Sequence, residues 1–191
     1  SVCFLITLYE WKMMSKKKPY SIFGFIFLII SFYSIYKLRN IFTGDYVYLL
    51  LITLICVSTD IGGYIFGKIL KGPKLTKISP QKTYSGAIGG FVFSITGGLI
   101  YLNYFPNLFL WTFLDGFDVY EIENIFCWSI FIILISFVSQ TGDLIISYFK
   151  RLANIKDTGA IIPGHGGLLD RIDGIIFAVP FSYIIINLNI Y

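Results

Sequence analysis

Charge is what this chain has least of. Asp, Glu, Lys and Arg make up 14% of its 191 residues, while 56% are hydrophobic. A soluble globular domain carries about a quarter charged residues. The shortfall excludes an ordinary water-soluble domain, and the mean hydropathy of +0.76 agrees. Histidine occurs once, at His165. Cys3, Cys56 and Cys127 each lie in an apolar run without CxxC or CxxH spacing. Neither a disulfide framework nor a thiolate metal site is expected, and all three read as small buried hydrophobes. Runs such as IFGFIFLII (22–30) do not alternate polar with apolar, which excludes the closed barrel, the other way to satisfy backbone in lipid. Within residues 1–191 no internal repeat, low-complexity stretch, second domain or signal-peptide pattern is expected. The lysines sit in short loops, not on a nucleic-acid-binding surface.

What is present is a series of apolar runs, most near the ~20 residues that cross a bilayer as a helix. Spans are expected at 20–36, 46–69, 86–104, 125–149 and 174–190, after a short apolar start over 1–11. SVCFLITLY is too short to cross a bilayer, so a further N-terminal portion is expected. The expected fold is all-α: one polytopic bundle over 1–191, with about five full membrane helices plus a truncated first one. Its signature lies at 140–174 and a second motif loop at 60–90. The LFLW segment (108–111) is expected in the membrane interface, where Trp is favoured. The glycines of AIGGFVFSITGG (87–98) are expected to let helices pack closely.

The charges also orient the bundle. Loops 12–19, 68–85 and 150–173 hold 4, 5 and 4 of the 15 Lys and Arg residues; loop 37–45 holds the other two and loop 105–124 none. Lys and Arg concentrate on the cytoplasmic side, so those three loops are expected to face the cytoplasm together.

The polar residues cluster. Between Asp143 and Asp173 lie Lys150, Arg151, Lys156, Arg171, Asp157, Asp170 and His165. Asp60 and Asp143 fall inside membrane helices, where an ionisable group costs a few kcal/mol and is functional by default. Asp143, Ser147 and Lys150 share one helix face, with Asp143 ~10 Å below Lys150 along the axis. Asp60, Tyr64 and Gly67 are spaced alike, and Gly62 and Gly63 leave room for a neighbouring backbone or a ligand. Asp170 and Asp173, three apart, could join Asp143 as hard oxygen ligands for Mg²⁺, which keeps waters and bridges phosphates. PGHGG (163–167) has three glycines in five residues; such backbone can turn N–H groups toward an anion. Lys68, Lys71 and Lys74 fit topology determination and attraction to anionic headgroups.

Taken together, SYFKRLANIKDTGAIIPGHGGLLDRID (147–173) resembles the signature of the phosphatidate cytidylyltransferases, or CDP-diacylglycerol synthases. Ser147, Lys150, Arg151, Lys156, Asp157, Gly159, Pro163, His165, Gly166, Gly167, Asp170, Arg171 and Asp173 fall on its fixed positions. DIGGYIFGK (60–68), KISPQKTYSG (77–86) and QTGD (140–143) are similar to further family segments. Tyr84 departs from the family's usual Trp, and members normally carry more N-terminal helices.

The resemblance implies formation of CDP-diacylglycerol and pyrophosphate from CTP and phosphatidic acid, dependent on Mg²⁺; a second cation is left open. It places the metal on Asp143 and Asp170, with Asp173 and Asp60 as further candidates. Lys156 and His165 join the two principal aspartates as catalytic candidates. Ser147, Lys150, Arg151, Gly166, Gly167 and Arg171 are substrate-binding candidates. Ser79, Lys82 and Thr83 are expected on the opposite wall. Expected partners are CTP, phosphatidic acid and the bilayer, with a homodimer as a candidate assembly and no nucleic acid. The expected location is a bacterial inner membrane, the site facing the cytoplasm. Two rivals remain open: a CTP-dependent polyprenol or phytol kinase, and a cation transporter using Asp60 and Asp143 as a relay.

Overall fold

The computed structural model describes residues 2–16, 18–41, 46–104, 122–161 and 166–188. Seven helices occupy these: α1 (Val2–Met14), α2 (Ser21–Ile41), α3 (Val47–Leu70), α4 (Tyr84–Tyr104), α5 (Ile122–Leu152), the short α6 (Leu169–Ile172) and α7 (Ile175–Leu188). Among the described residues the fold is all-α, apart from one isolated backbone bridge between Lys74 and Thr83. α2, α3, α4 and α5 are long and apolar enough to cross a membrane. The chain is an integral membrane protein. The LFLW segment, Lys17, Asp45, Pro163 and His165 lie outside the described residues.

Local chemistry sets the helix ends. α3 stops at Lys71, which adopts a left-handed conformation (φ 45°), and Pro73 follows, where a helix cannot continue. α4 starts on Thr83, whose hydroxyl accepts the Gly86 N–H at 3.1 Å, an N-cap bond. At the end of α5, Asn154 is left-handed (φ 56°). There the Ile155 N–H reaches the Lys150 carbonyl and the Asn154 N–H that of Arg151, each at 3.0 Å. This is a Schellman turn, and it ends α5.

Pro180 sits inside α7. It has no N–H for the carbonyl of Ile176, four residues back. The Ser31 hydroxyl of α2 lies 2.7 Å from that carbonyl and donates to it. Two apolar clusters fill the bundle. The larger joins α3, α4, α5 and α7 around Ile52, Ile55, Ile132, Ile135 and Val179. The smaller joins α1, α2, α5 and α7 around Trp11, Leu28, Ile146 and Ile176. Lipid offers little hydrophobic drive between helices, so close packing and polar bridges matter more. One such bridge is the buried 2.7 Å contact between the Thr59 and Ser136 hydroxyls, joining α3 to α5.

α3 and α4 pack closely through glycine. A Cβ on Gly86 would lie 2.7 Å from the Gly63 carbonyl oxygen, and one on Gly90 3.0 Å from that of Thr59. The room expected at Gly62 is taken by the Gly89 backbone and Phe93, while Gly63 lines a cavity. Gly86→Val should force the helices apart and cost about 1–3 kcal/mol. A lowered thermal midpoint in detergent checks this; an unchanged midpoint would show that the pair is loosely seated.

The three basic loops meet at one end of the bundle. Lys82 reaches the α5 residues Gln140 and Asp143. Glu10 near the end of α1 binds Thr158, Leu168 and Leu169. The helices run past the expected boundaries: α1 to Met14, α2 to Ile41, α5 from Ile122 to Leu152. Cys56 is buried as expected, but Cys3 and Cys127 are exposed. That corrects the expectation of burial for these two: their helices turn those faces outward, where a membrane protein tolerates an apolar surface.

Candidate active site

A cavity of about 520 Å³ opens between α3, α4 and α5 beneath the loop 75–83. α3 contributes Thr59, Asp60, Gly63 and Tyr64; α5 contributes Gln140 and Asp143; Arg171 of α6 completes the rim. Ser79, Lys82 and Thr83 line the facing wall, where the resemblance puts them. Thr83 also caps α4, so its hydroxyl has a structural task at the same place.

Asp143 is the hub of this cavity. Lys82 forms an ion pair with one of its oxygens, both side chains being a little over a quarter exposed. The Ser147 hydroxyl donates to the other at 3.3 Å, confirming the shared helix face. Asp173 lies beside Asp143, close enough for the two carboxyls to interact. Its own oxygen accepts the Gly174 N–H at 2.9 Å. Burial, and then the neighbouring Asp143 carboxyl, push the Asp173 carboxyl up to about 8. Two carboxyls side by side disfavour ionisation of at least one of them.

Asp170 is organised differently. Its Oδ1 accepts Lys150 Nζ at 2.8 Å. Its Oδ2 accepts the Thr158 N–H at 2.8 Å, the Thr158 hydroxyl at 3.1 Å and the Gly167 N–H at 3.1 Å. Burial raises its pKa, but these donors and the Lys150 charge outweigh burial and hold it below the usual carboxylate range. Gly166 is left-handed (φ 84°), and a Cβ there would lie 3.2 Å from Asp170 Oδ2. Glycine is required at that turn.

The structure thus brings Asp60, Ser79, Lys82, Thr83, Asp143 and Arg171 around one cavity, with Ser147 bonded to Asp143 and Asp173 beside it. Lys150 and Asp170 form a neighbouring pair, while Arg151 and Lys156 are exposed. Among the described residues, no three acidic, histidine or cysteine side chains gather around one point to hold a metal. What the donor set offers is a pair of hard oxygen ligands, Asp143 with Asp173, and Asp60 lining the same cavity. Such donors suit Mg²⁺, and a cation would relieve the repulsion within the pair.

Sequence reasoning missed Glu10. It is 1% exposed, and its partners lie 148 to 159 positions along the chain. The available signal was a carboxylate within the first apolar run, with no other acidic residue before Asp45.

Lys74 lies away from the cavity lining and is exposed. Lys74→Ala should keep activity within about twofold, since an isolated surface charge contributes little. Initial rates check this, and a total loss would place the loop 71–76 in the site.

This geometry sits in a chain that matches the model of the cytidylyltransferase family over residues 1–189. The chain belongs to that family. It is 34% identical over 183 residues to a phosphatidate cytidylyltransferase of Brucella melitensis, covering 95% of this chain and 61% of the relative. It is 39% identical over 191 residues to one from Rickettsia typhi, covering 95% and 75%. With a Rickettsia felis protein of the same name it shares 36% identity over 180 residues, covering 92% and 74%. The chain therefore spans less than two thirds of the length of the Brucella relative.

Proposed function

We propose that the chain is a membrane-embedded phosphatidate cytidylyltransferase, converting CTP and phosphatidic acid to CDP-diacylglycerol and pyrophosphate. The observation that carries this is the Asp143 cavity, a polar site built from membrane helices and walled by Lys82 and Arg171. Family membership and the names of the relatives support it.

The chemistry suits such a site. A phosphatidate oxygen attacks the α-phosphorus of CTP. A new P–O bond forms, the α–β bridging bond breaks, and pyrophosphate leaves with that electron pair. The nucleophile is already anionic near neutral pH, so no strong base is needed. The work is positioning and charge neutralisation. Lys82 and Arg171 supply positive charge at the cavity wall, while Ser147 fixes the Asp143 carboxylate. Lys150 holds Asp170, and Arg151 and Lys156 offer exposed charge to arriving phosphates. Asp143 and Asp173, with Asp60 on the same cavity wall, would hold Mg²⁺. When bound, the ion would offset charge on the phosphates. Acyl chains can stay in the bilayer while the lipid phosphate meets CTP at the membrane surface.

The three gathered basic loops support a cytoplasmic orientation in a bacterial inner membrane. To test the activity, the purified chain in mixed micelles is given phosphatidic acid, CTP and Mg²⁺. CDP-diacylglycerol and pyrophosphate should appear in equal amounts by mass spectrometry and phosphate assay. Pyrophosphate without the lipid product, or neither, would contradict the proposal.

A further inference from the structure

Glu10 ties α1 to the signature loop. Its Oε1 accepts the Leu168 N–H at 2.9 Å, and its Oε2 accepts the Leu169 N–H at 2.8 Å. The Thr158 hydroxyl lies 3.2 Å from the same Oε2 and 3.1 Å from Asp170 Oδ2. A hydroxyl has one proton, so Thr158 shares it between two carboxylates. A buried carboxylate is costly unless donors surround it, and these three donors all come from the signature loop.

The loop is shaped to receive it. A Cβ on Gly159 would lie 2.7 Å from Glu10 Oε1, and one on Gly167 2.8 Å from Oε2. Both strands of the loop, 158–159 and 167–169, therefore close on one side chain from a distant helix. Those same strands supply the Thr158 and Gly167 donors of Asp170. We propose that Glu10 is a positioning residue for nucleotidyl transfer, a clasp that sets where Asp170 and the Gly166–Gly167 backbone stand. The catalytic part rests on the cytidylyltransferase function proposed above; the clasp itself does not.

The experiment pairs kinetics with hydrogen exchange on the full chain in one detergent preparation. Glu10→Gln puts an NH₂ where a backbone N–H needs an acceptor, so one of the two amide bonds fails. The turnover number per folded molecule should fall about a hundredfold, as expected for a site displaced by about 1 Å. The KM for CTP should move by less than about threefold, since the loss falls on the transition state. Exchange at the Leu168 and Leu169 amides should quicken, with α4 unaffected. A merely structural Glu10 would lower the folded yield and leave turnover per folded molecule unchanged, which overturns the positioning role. Unaltered exchange in folded Glu10→Gln overturns the clasp. If Glu10→Gln does not fold, Thr158→Val decides: a fall in turnover of about tenfold or more supports the link between the carboxylates, and wild-type turnover refutes it. Should the wild type make no CDP-diacylglycerol, the proposed function fails, while the exchange result still judges the clasp.

Discussion

Asp143→Asn should abolish CDP-diacylglycerol formation, by about a thousandfold or more, while the protein still inserts and folds. Two magnitudes make this diagnostic. The ion pair that Asp143 forms with Lys82 is partly exposed, and such pairs contribute only about 0–1 kcal/mol. Asparagine keeps the shape and can still accept from Ser147, so the fold loses little. The site loses much more: a charge at the hub of the cavity, worth several kcal/mol in holding a cation against phosphates, or about tenfold in rate per 1.4 kcal/mol. Initial rates by mass spectrometry, alongside the thermal midpoint in detergent, separate the two. Near wild-type activity would remove Asp143 from the site.

Asp170→Asn should be equally inactive but less stable, by about 2–4 kcal/mol. Here the carboxylate gathers donors from Lys150, Thr158 and Gly167, and hydrogen bonds to charged groups are worth about 1.5–3 kcal/mol each. Asparagine would turn an NH₂ toward one set of donors. The pH dependence follows from the lowered pKa of Asp170. A depressed folded-state pKa gives stability that is present above the unfolded value of about 3.9 and is lost as pH falls through the lower folded value. The stability gap between wild type and Asp170→Asn should thus be flat above about pH 5 and shrink in stronger acid. Thermal melts across that range check this. A gap that instead widens in acid would mean that Asp170 is held protonated in the fold.

These two aspartates also show how far the sequence could be read. Asp143 was legible because a carboxylate inside an apolar run is costly and helical spacing ties it to Ser147. The facing wall at Lys82 came from the family resemblance, and in the structure Lys82 lines the cavity between α3, α4 and α5. Glu10 was not legible as a partner. Its hydrogen bonds cross nearly the whole chain, and periodicity reports only local faces. The engagement of Lys150 with Asp170 was hidden for a related reason. A Lys and an Asp twenty positions apart suggest equally a phosphate site or a mutual pair, and only the turn at Asn154 brings them together. Helix ends were placed too early at α1 and α2, where polar residues cut short the apolar runs. Lys, Arg and Met are good helix formers, and long basic side chains can carry their charge out to water while their stems cover apolar surface.

The most direct test of cytidylyl transfer at this cavity uses CTP labelled at either end of its triphosphate. Membranes containing the chain, given phosphatidic acid and CTP labelled at the α-phosphate, should yield labelled lipid. The same membranes given CTP labelled at the γ-phosphate should yield none, and Asp143→Asn membranes should label lipid from neither. Lipid labelled from the γ-phosphate alone would contradict the account and make the chain a CTP-dependent kinase.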